Sequence, residues 1–168
     1  MWRSGTAARS TSDGCADAVN AVTAAIAIGP LAPADRAEWE VLARGYKAFY
    51  RTEIPDARYD ETWRTLMAGE RIHGLAARLD GRMVGIAHYL FHAQTWSADT
   101  CYLQDLFSAE EARGQGVASA LIDAVAEAAR ERGAVKYYWL TKQDNARARA
   151  LYERIAAFKG FLRYDYPL

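Results

Sequence analysis

The 168-residue sequence predicts a single domain of mixed α/β class, one sheet with helices on its faces. Three observations carry that expectation. The length suits one domain with one substantial core. Two strand-like runs, His73 to Leu79 and Met83 to Phe91, flank Asp80-Gly81, one of the strongest short hairpin signals. Beyond them, segments with an apolar stripe at helical spacing alternate with short β-rich runs.

In chain order, residues 1–19 are rich in Ser, Thr, Ala, Gly and Arg without a hydrophobic period. They read as a disordered tail ahead of a domain at 20–168. Val22 to Ile28 is β-branched and reads as a first strand stopped by Gly29-Pro30. Asp35 with Glu38 resembles a capping box, and Trp39, Leu42, Ala43, Tyr46 and Phe49 or Tyr50 then recur at helical spacing for about four turns. Pro55 closes that region. Tyr59 to Met67 predicts a shorter helix ending at Gly69. After the hairpin, Thr100 to Phe107 reads as a third consecutive strand. Val117, Leu121, Val125 and Ala128/Ala129 form one stripe of the next helix, with Gly133 past its end. Val135 to Leu140 is a further strand. Asp144 or Asn145 starts a helix carrying Ala148, Leu151, Tyr152 and Ile155, broken by Gly160, and Phe161 to Tyr166 reads as a last strand.

Composition narrows the function classes. Lys plus Arg and Asp plus Glu are 21 each, so no net field draws the chain to nucleic acid or an anionic membrane. The longest apolar stretch, Ala21 to Ile28, is far too short to span a bilayer. Arg3 and Arg9 precede it as in a signal peptide, but Asp13 and Asp17 interrupt the pattern, so the sequence reads as cytoplasmic. Cys15 and Cys101 form neither a chelating pair nor a disulfide framework. His88 and His92 fall on a predicted strand, where four residues span about 13 Å, so no shared metal is expected. Trp39, Trp63, Phe49 and Tyr50 read as core. Glu53, Asp56, Asp60 and Glu61, interleaved with Arg51, Arg58 and Arg64, read as a mixed-charge surface.

Chemistry first appears at Arg113-Gly114-Gln115-Gly116-Val117-Ala118, between a strand and an amphipathic helix. Glycines let backbone N–H groups approach an anion, and the helix start adds free donors and a positive dipole end. Arg113 adds a fixed cation. Such a turn is suited to a pyrophosphate. No Lys-Ser or Lys-Thr follows, so it is not a P-loop, and Ser119 stands where a dinucleotide fingerprint needs its third Gly.

The segment resembles the signature of the GNAT acetyltransferases, Arg/Gln-x-x-Gly-x-Gly/Ala, filled here by Arg113, Gly116 and Ala118. Tyr102-Leu103-Gln104-Asp105-Leu106-Phe107 is similar to that family's central strand, of the form Y-L-E-D-L-F-V. Tyr138-Trp139-Leu140-Thr141, Asn145, Ala148, Leu151-Tyr152-Glu153 and Gly160-Phe161 resemble its second half, so the likeness runs from about Arg82 to Tyr166. Among GNAT enzymes the pattern is most like those acetylating polyamines, small amines or basic protein tails.

The resemblance implies a mostly antiparallel sheet splayed around an acetyl-CoA cleft, with helices on both faces and no metal. Main-chain groups of Leu106, Phe107 and Ser108 would receive the pantetheine arm, nearly as an added strand. Backbone donors from Arg113 through Gly114, Gln115, Gly116, Val117 and Ala118 would hold the pyrophosphate. Asn145 would hydrogen-bond the cofactor, and Tyr152 would donate a proton to the departing thiolate. The acceptor would be a small-molecule amine or a basic protein tail. A homodimer paired through the C-terminal segment is also implied, although Phe161 to Tyr166 reads equally well as an internal strand.

One position departs from the pattern. Relatives often carry a Glu base on the central strand where this chain has Gln104, an amide that takes up no proton at neutral pH. Asp105 is acidic, but neighbours on a regular strand face opposite ways. Three readings stand: a water chain to another carboxylate, with Glu53 or Asp56 as the distant acceptor; an amine that arrives neutral; or a non-catalytic acyl-CoA-binding module.

Overall fold

A computed structural model describes residues 25–168. The expectations for residues 1–19, and for Val22 to Thr23 and Ala24, lie outside the described residues. Five strands form one sheet in sequential order, β1 (Ala27–Pro30), β2 (His73–Leu79), β3 (Arg82–His92), β4 (Thr100–Ser108) and β5 (Lys136–Trp139). The first four are antiparallel, and β5 lies parallel to β4. Helices α1 (Arg36–Phe49) and α2 (Asp56–Ala68) pack on one face, where Trp39, Leu42, Tyr59, Leu66 and Ile86 build one core. On the other face, α3 (Val117–Glu131) and α4 (Ala146–Ile155) meet a second core of Val84, Ala87, Leu103, Leu121 and Val125, which Leu151 and Tyr152 flank.

The hairpin forms as predicted. Asp80 and Gly81 both take positive φ, 50° and 80°, the turn that matches strand twist. Next to it, Gly85 is where α3 comes closest to the sheet: a Cβ there would lie 2.6 Å from Val117 Cγ1 and 3.2 Å from the Phe107 carbonyl oxygen. That close approach sets where the helix starts, and so where the loop before it sits.

Several boundaries differ from the sequence reading, each for a physical reason. Gly29-Pro30 lies inside β1 because an edge strand needs no donor from proline on its outer side. The capping box does not form. Asp35 instead accepts from Ala32 N–H at 2.8 Å and pairs with Arg78 at 2.6 Å, while Glu38 accepts from the Met83 N–H at 2.7 Å. Both carboxylates therefore tie the helix start to the sheet. Pro55 is the N-cap of α2, which starts three residues before Tyr59. The predicted strand from Phe161 to Tyr166 is absent: residues 156–168 carry no strand after Ala156 turns extended, and Phe161, Tyr164 and Tyr166 are each more than 80% exposed. Nothing among the described residues forms a strand beside them.

Candidate active site

The site begins where two strands part. β4 and β5 pair only from Thr100–Lys136 to Leu103–Trp139. Beyond Leu103 the β5-facing edge of β4 has no strand beside it among the described residues, leaving Leu106, Phe107 and Ser108 along an open edge. The register against β3 also jumps there. Asp105 pairs with His88 but Leu103 pairs with Tyr89, so Gln104 is an extra residue, a β-bulge. The bulge reverses the alternation of faces. Cys101 and Leu103 pack toward α3, whereas Phe107 packs toward α1.

A cleft opens at this point, lined by Tyr46, Tyr50, Gln104, Trp139, Thr141 and Tyr152 among others. Gln104 and Tyr152, which stand on different elements far apart in the sequence, share it. Tyr152 stands half-buried on α4 with its ring against Trp139, centroids 5.3 Å apart. Burial, followed by the neighbouring Tyr50, pushes its hydroxyl up to about 12. The phenol therefore keeps its proton throughout the neutral range. Tyr50, read from sequence as core, is a wall of this cleft, because α1 ends there and its last turn overhangs β4.

Asp105 lies on the α1 side rather than in the cleft wall. Its carboxylate accepts from His88 Nδ1 at 2.9 Å. Burial raises its carboxyl, but the His88 hydrogen bond foremost, with Tyr46 and the Lys47 charge after it, outweighs burial and holds it below the ordinary carboxylate range. His88 is itself buried, and its Nε2 accepts from the Trp39 indole at 2.9 Å. Glu53 and Asp56, named as distant acceptors, are exposed and do not line the cleft; Asp56 pairs with Arg44 at 2.7 Å. Among the described residues no group of three His, Cys, Asp or Glu side chains comes together as a metal site.

The glycine turn has the geometry an anion needs. Gly114 and Gly116 take φ of 81° and 86°, which a side chain would strain, and Gly116 caps α3. The first intrahelical bond is Ala120 N–H to Gly116 O, so the N–H groups of Val117, Ala118 and Ser119 have no acceptor within the helix. Not every donor of the turn is free, however. The Arg113 and Gln115 N–H groups bond to Glu110 O and Ala112 O, and the Arg113 guanidinium pairs with Glu110 at 2.7 Å. Next to the turn, at the end of β4, the buried Ser108 Oγ has no hydrogen-bond partner among the described residues, an orphan that a bound polar arm would satisfy. Free helix donors, small residues and an orphaned hydroxyl along one open strand edge fit a diphosphate with a pantetheine arm. Asn145 holds the start of α4. Its Oδ1 caps α4 by accepting from Ala148 N–H, and its Nδ2 donates to Thr141 Oγ1 at 3.0 Å.

Residues 39–158 match the sequence profile of the Acetyltransferase (GNAT) family. The chain belongs to the GNAT family. As a GNAT acetyltransferase it transfers an acetyl group to an amine, and acetyl-CoA is the acyl donor of its family. It is 33% identical over 135 residues to the D-amino-acid N-acetyltransferase HPA3 of Saccharomyces cerevisiae, covering 78% of this chain and 84% of that one. It is 36% identical over 75 residues to a thialysine N-epsilon-acetyltransferase of Sus scrofa, 45% of this chain and 44% of that one. The solved ribosomal-protein-alanine N-acetyltransferase of Brucella melitensis biovar Abortus 2308 superposes with a TM-score of 0.73 at 26% identity, covering 86% of this chain and 100% of that one.

Sequence reasoning missed Tyr46, Trp139 and Thr141 as walls of the GNAT cleft, and His88 as the partner of Asp105. For Tyr46 a signal existed, since it and Tyr50 stand four apart at the end of a helix. For His88 there was none, because its partners are 17 and 49 residues away.

Proposed function

We propose that this enzyme acetylates a small primary amine, of amino-acid or polyamine type, by direct attack on acetyl-CoA while both substrates are bound. The observation that carries the reading is that Gln104 and Tyr152 line one cleft at the point where β4 and β5 part. Acetyl-CoA supplies the acetyl group as a thioester. The chain's part is to hold it with the free donors at the start of α3 and the open edge of β4, and to offer the Tyr152 proton to the sulfur as charge develops there. A phenol raised to about 12 suits that role, since it remains a donor at every working pH. Direct transfer is favoured over an acyl-enzyme because Cys101 is buried, its thiol raised to about 11 by that burial, and it does not line the cleft. An acceptor with an amino-acid amine is supported by the relatives named for D-amino acids and thialysine. The setting we assign is cytoplasmic; no helix among the described residues is long and apolar enough to cross a membrane.

Assembly belongs to the same reading. β5 is an edge strand, and the aromatic segment at 157–168 leaves Phe161, Leu162, Tyr164 and Tyr166 exposed. We propose that two copies pair through this segment.

The test is thiol release from acetyl-CoA over a panel of spermidine, lysine, thialysine and D-amino acids. Turnover with intersecting double-reciprocal plots is expected. Parallel plots would overturn direct transfer, and silence across the panel would overturn the acceptor class.

A further inference from the structure

The cleft where β4 and β5 part is walled by aromatic rings and neutral side chains, and none of the described residues lining it is charged. An acceptor that arrives as an ammonium therefore meets no carboxylate there. What such walls offer a cation is the negative face of an aromatic ring, which attracts an ammonium within about 6 Å of its centroid. One contact of this kind is already made. Lys142, in the loop between β5 and α4, places its Nζ 5.4 Å from the ring centroid of Tyr50, a wall of the cleft. Tyr50 stands at the end of α1, whereas Leu140 and Thr141, just before Lys142, line the cleft from the β5 side. The Lys142 side chain thus straps one wall to the other.

The ring is fixed and the strap is not. Tyr50 meets Tyr46 and Phe49 edge-on, each with centroids 5.0 Å apart, and its N–H caps α1 by donating to Tyr46 O at 3.3 Å. On the loop, Lys142 O accepts from Asn145 N–H at 3.1 Å, which holds the backbone, while the long side chain is exposed and can swing away. Tyr46 also carries an ammonium over its ring, that of Lys47 at 5.4 Å, but Lys47 is its neighbour on the same helix and bridges nothing. A cation–π contact strengthens as water is excluded. An ammonium seated from inside the cleft therefore outcompetes one reaching in from solvent.

We propose that the face of the Tyr50 ring is a cation subsite at the mouth of the cleft, held in the free enzyme by the Lys142 ammonium and taken over by the second positive group of a diamine whose other amine reacts inside. This rests on the proposed function and deepens it by naming what the cleft selects: an acceptor with a cation besides the reacting amine. Acetyl transfer itself is unchanged.

Two measurements decide it. In wild-type enzyme the ε-methylene protons of Lys142, assigned by their loss in Lys142→Gln, should show an upfield ring-current shift that cadaverine removes. Its absence from wild type would overturn the proposal whether or not any amine is turned over. Kinetics at saturating acetyl-CoA compare cadaverine with pentylamine, which differ only in the far ammonium. Tyr50→Leu should raise KM for cadaverine at least about fivefold more than KM for pentylamine. Tyr50→Phe, which keeps a ring, should recover most of that difference. Lys142→Gln, which removes the competing ammonium, should lower the cadaverine KM about two- to fivefold. An equal rise for both amines in Tyr50→Leu would mean a merely structural ring and overturn the subsite. A cadaverine KM unchanged or raised in Lys142→Gln would overturn the competition. Should Tyr50→Leu fail to fold, Lys142→Gln carries the test alone, since it changes only an exposed loop side chain. If wild type acetylates neither amine, the acceptor class of the proposed function falls. The same comparison is then read by calorimetry as affinity for the enzyme–CoA complex, where equal affinities for the two amines would overturn the subsite.

Discussion

Tyr152 is the residue whose environment most directly suggests its chemistry. Its hydroxyl is raised, not lowered, so it serves as a donor and not as a base. Tyr152→Phe should reduce kcat by about 10²-fold or more, in the usual range for a lost general acid. The shape of the pH–rate profile below pH 10 should not change, because a group at about 12 does not titrate there. Gln104 makes the opposite prediction. Gln104→Glu introduces a carboxylate at the cleft wall and should extend activity toward lower pH; an unaltered profile would show that position 104 is no base site. Asp35 affects stability rather than turnover. Burial raises its carboxyl, but the bond from Arg78, the Ala32 N–H and the Arg78 charge hold it below the usual value. A depressed folded value means stabilisation that is full above about pH 4, the unfolded range, and lost as pH falls through the folded value. The melting-temperature gap between wild type and Asp35→Asn should therefore be constant from pH 7 to about 5 and close in stronger acid. Gln104 and Tyr152 were both singled out by the sequence, and both line the cleft. The partners that surround them were not, since Tyr46 and Tyr50 follow the same helical stripe as core residues.

At the scale of elements, the contact between β3 and α3 governs where the glycine turn sits. Gly85→Ala would drive a methyl into Val117 and the Phe107 carbonyl, and overpacking of this kind costs about 1–3 kcal/mol. Because α3 carries the free donors of Val117 and Ala118 at its start, the same change should weaken acetyl-CoA binding as well as lower the denaturant midpoint. Calorimetry and urea unfolding check both. An unaffected acetyl-CoA affinity would separate the helix position from the anion site. Helices, hairpin and glycine turn could be read directly because local rules produce them: 3.6-residue stripes, Asp80-Gly81, and Arg113 to Ala118 before an apolar face. The failed capping box shows the limit of those rules. Glu38 finds a better use in the Met83 N–H, 45 residues away, and that competitor is invisible in a local window.

The whole molecule leaves one account open at its edge. β5 is short, its outer side is unpaired among the described residues, and an exposed aromatic segment follows α4. Unpaired edges beside apolar segments invite pairing with another chain. Light scattering should give twice the 18.7 kDa mass of one chain, and removal of residues 158–168 should return a monomer. A monomeric full-length chain would overturn the pairing.

The order of elements as far as the last helix, the acetyltransferase family and the glycine turn from Arg113 to Ala118 were determined by the sequence alone, because each rests on residues close together in the chain. Which side chains meet in the cleft was decided only by tertiary structure. One inserted residue, Gln104, reverses the faces of β4, and register between strands sets His88 against Asp105. A bulge is a property of two strands paired at a distance. No pattern within either strand contains it.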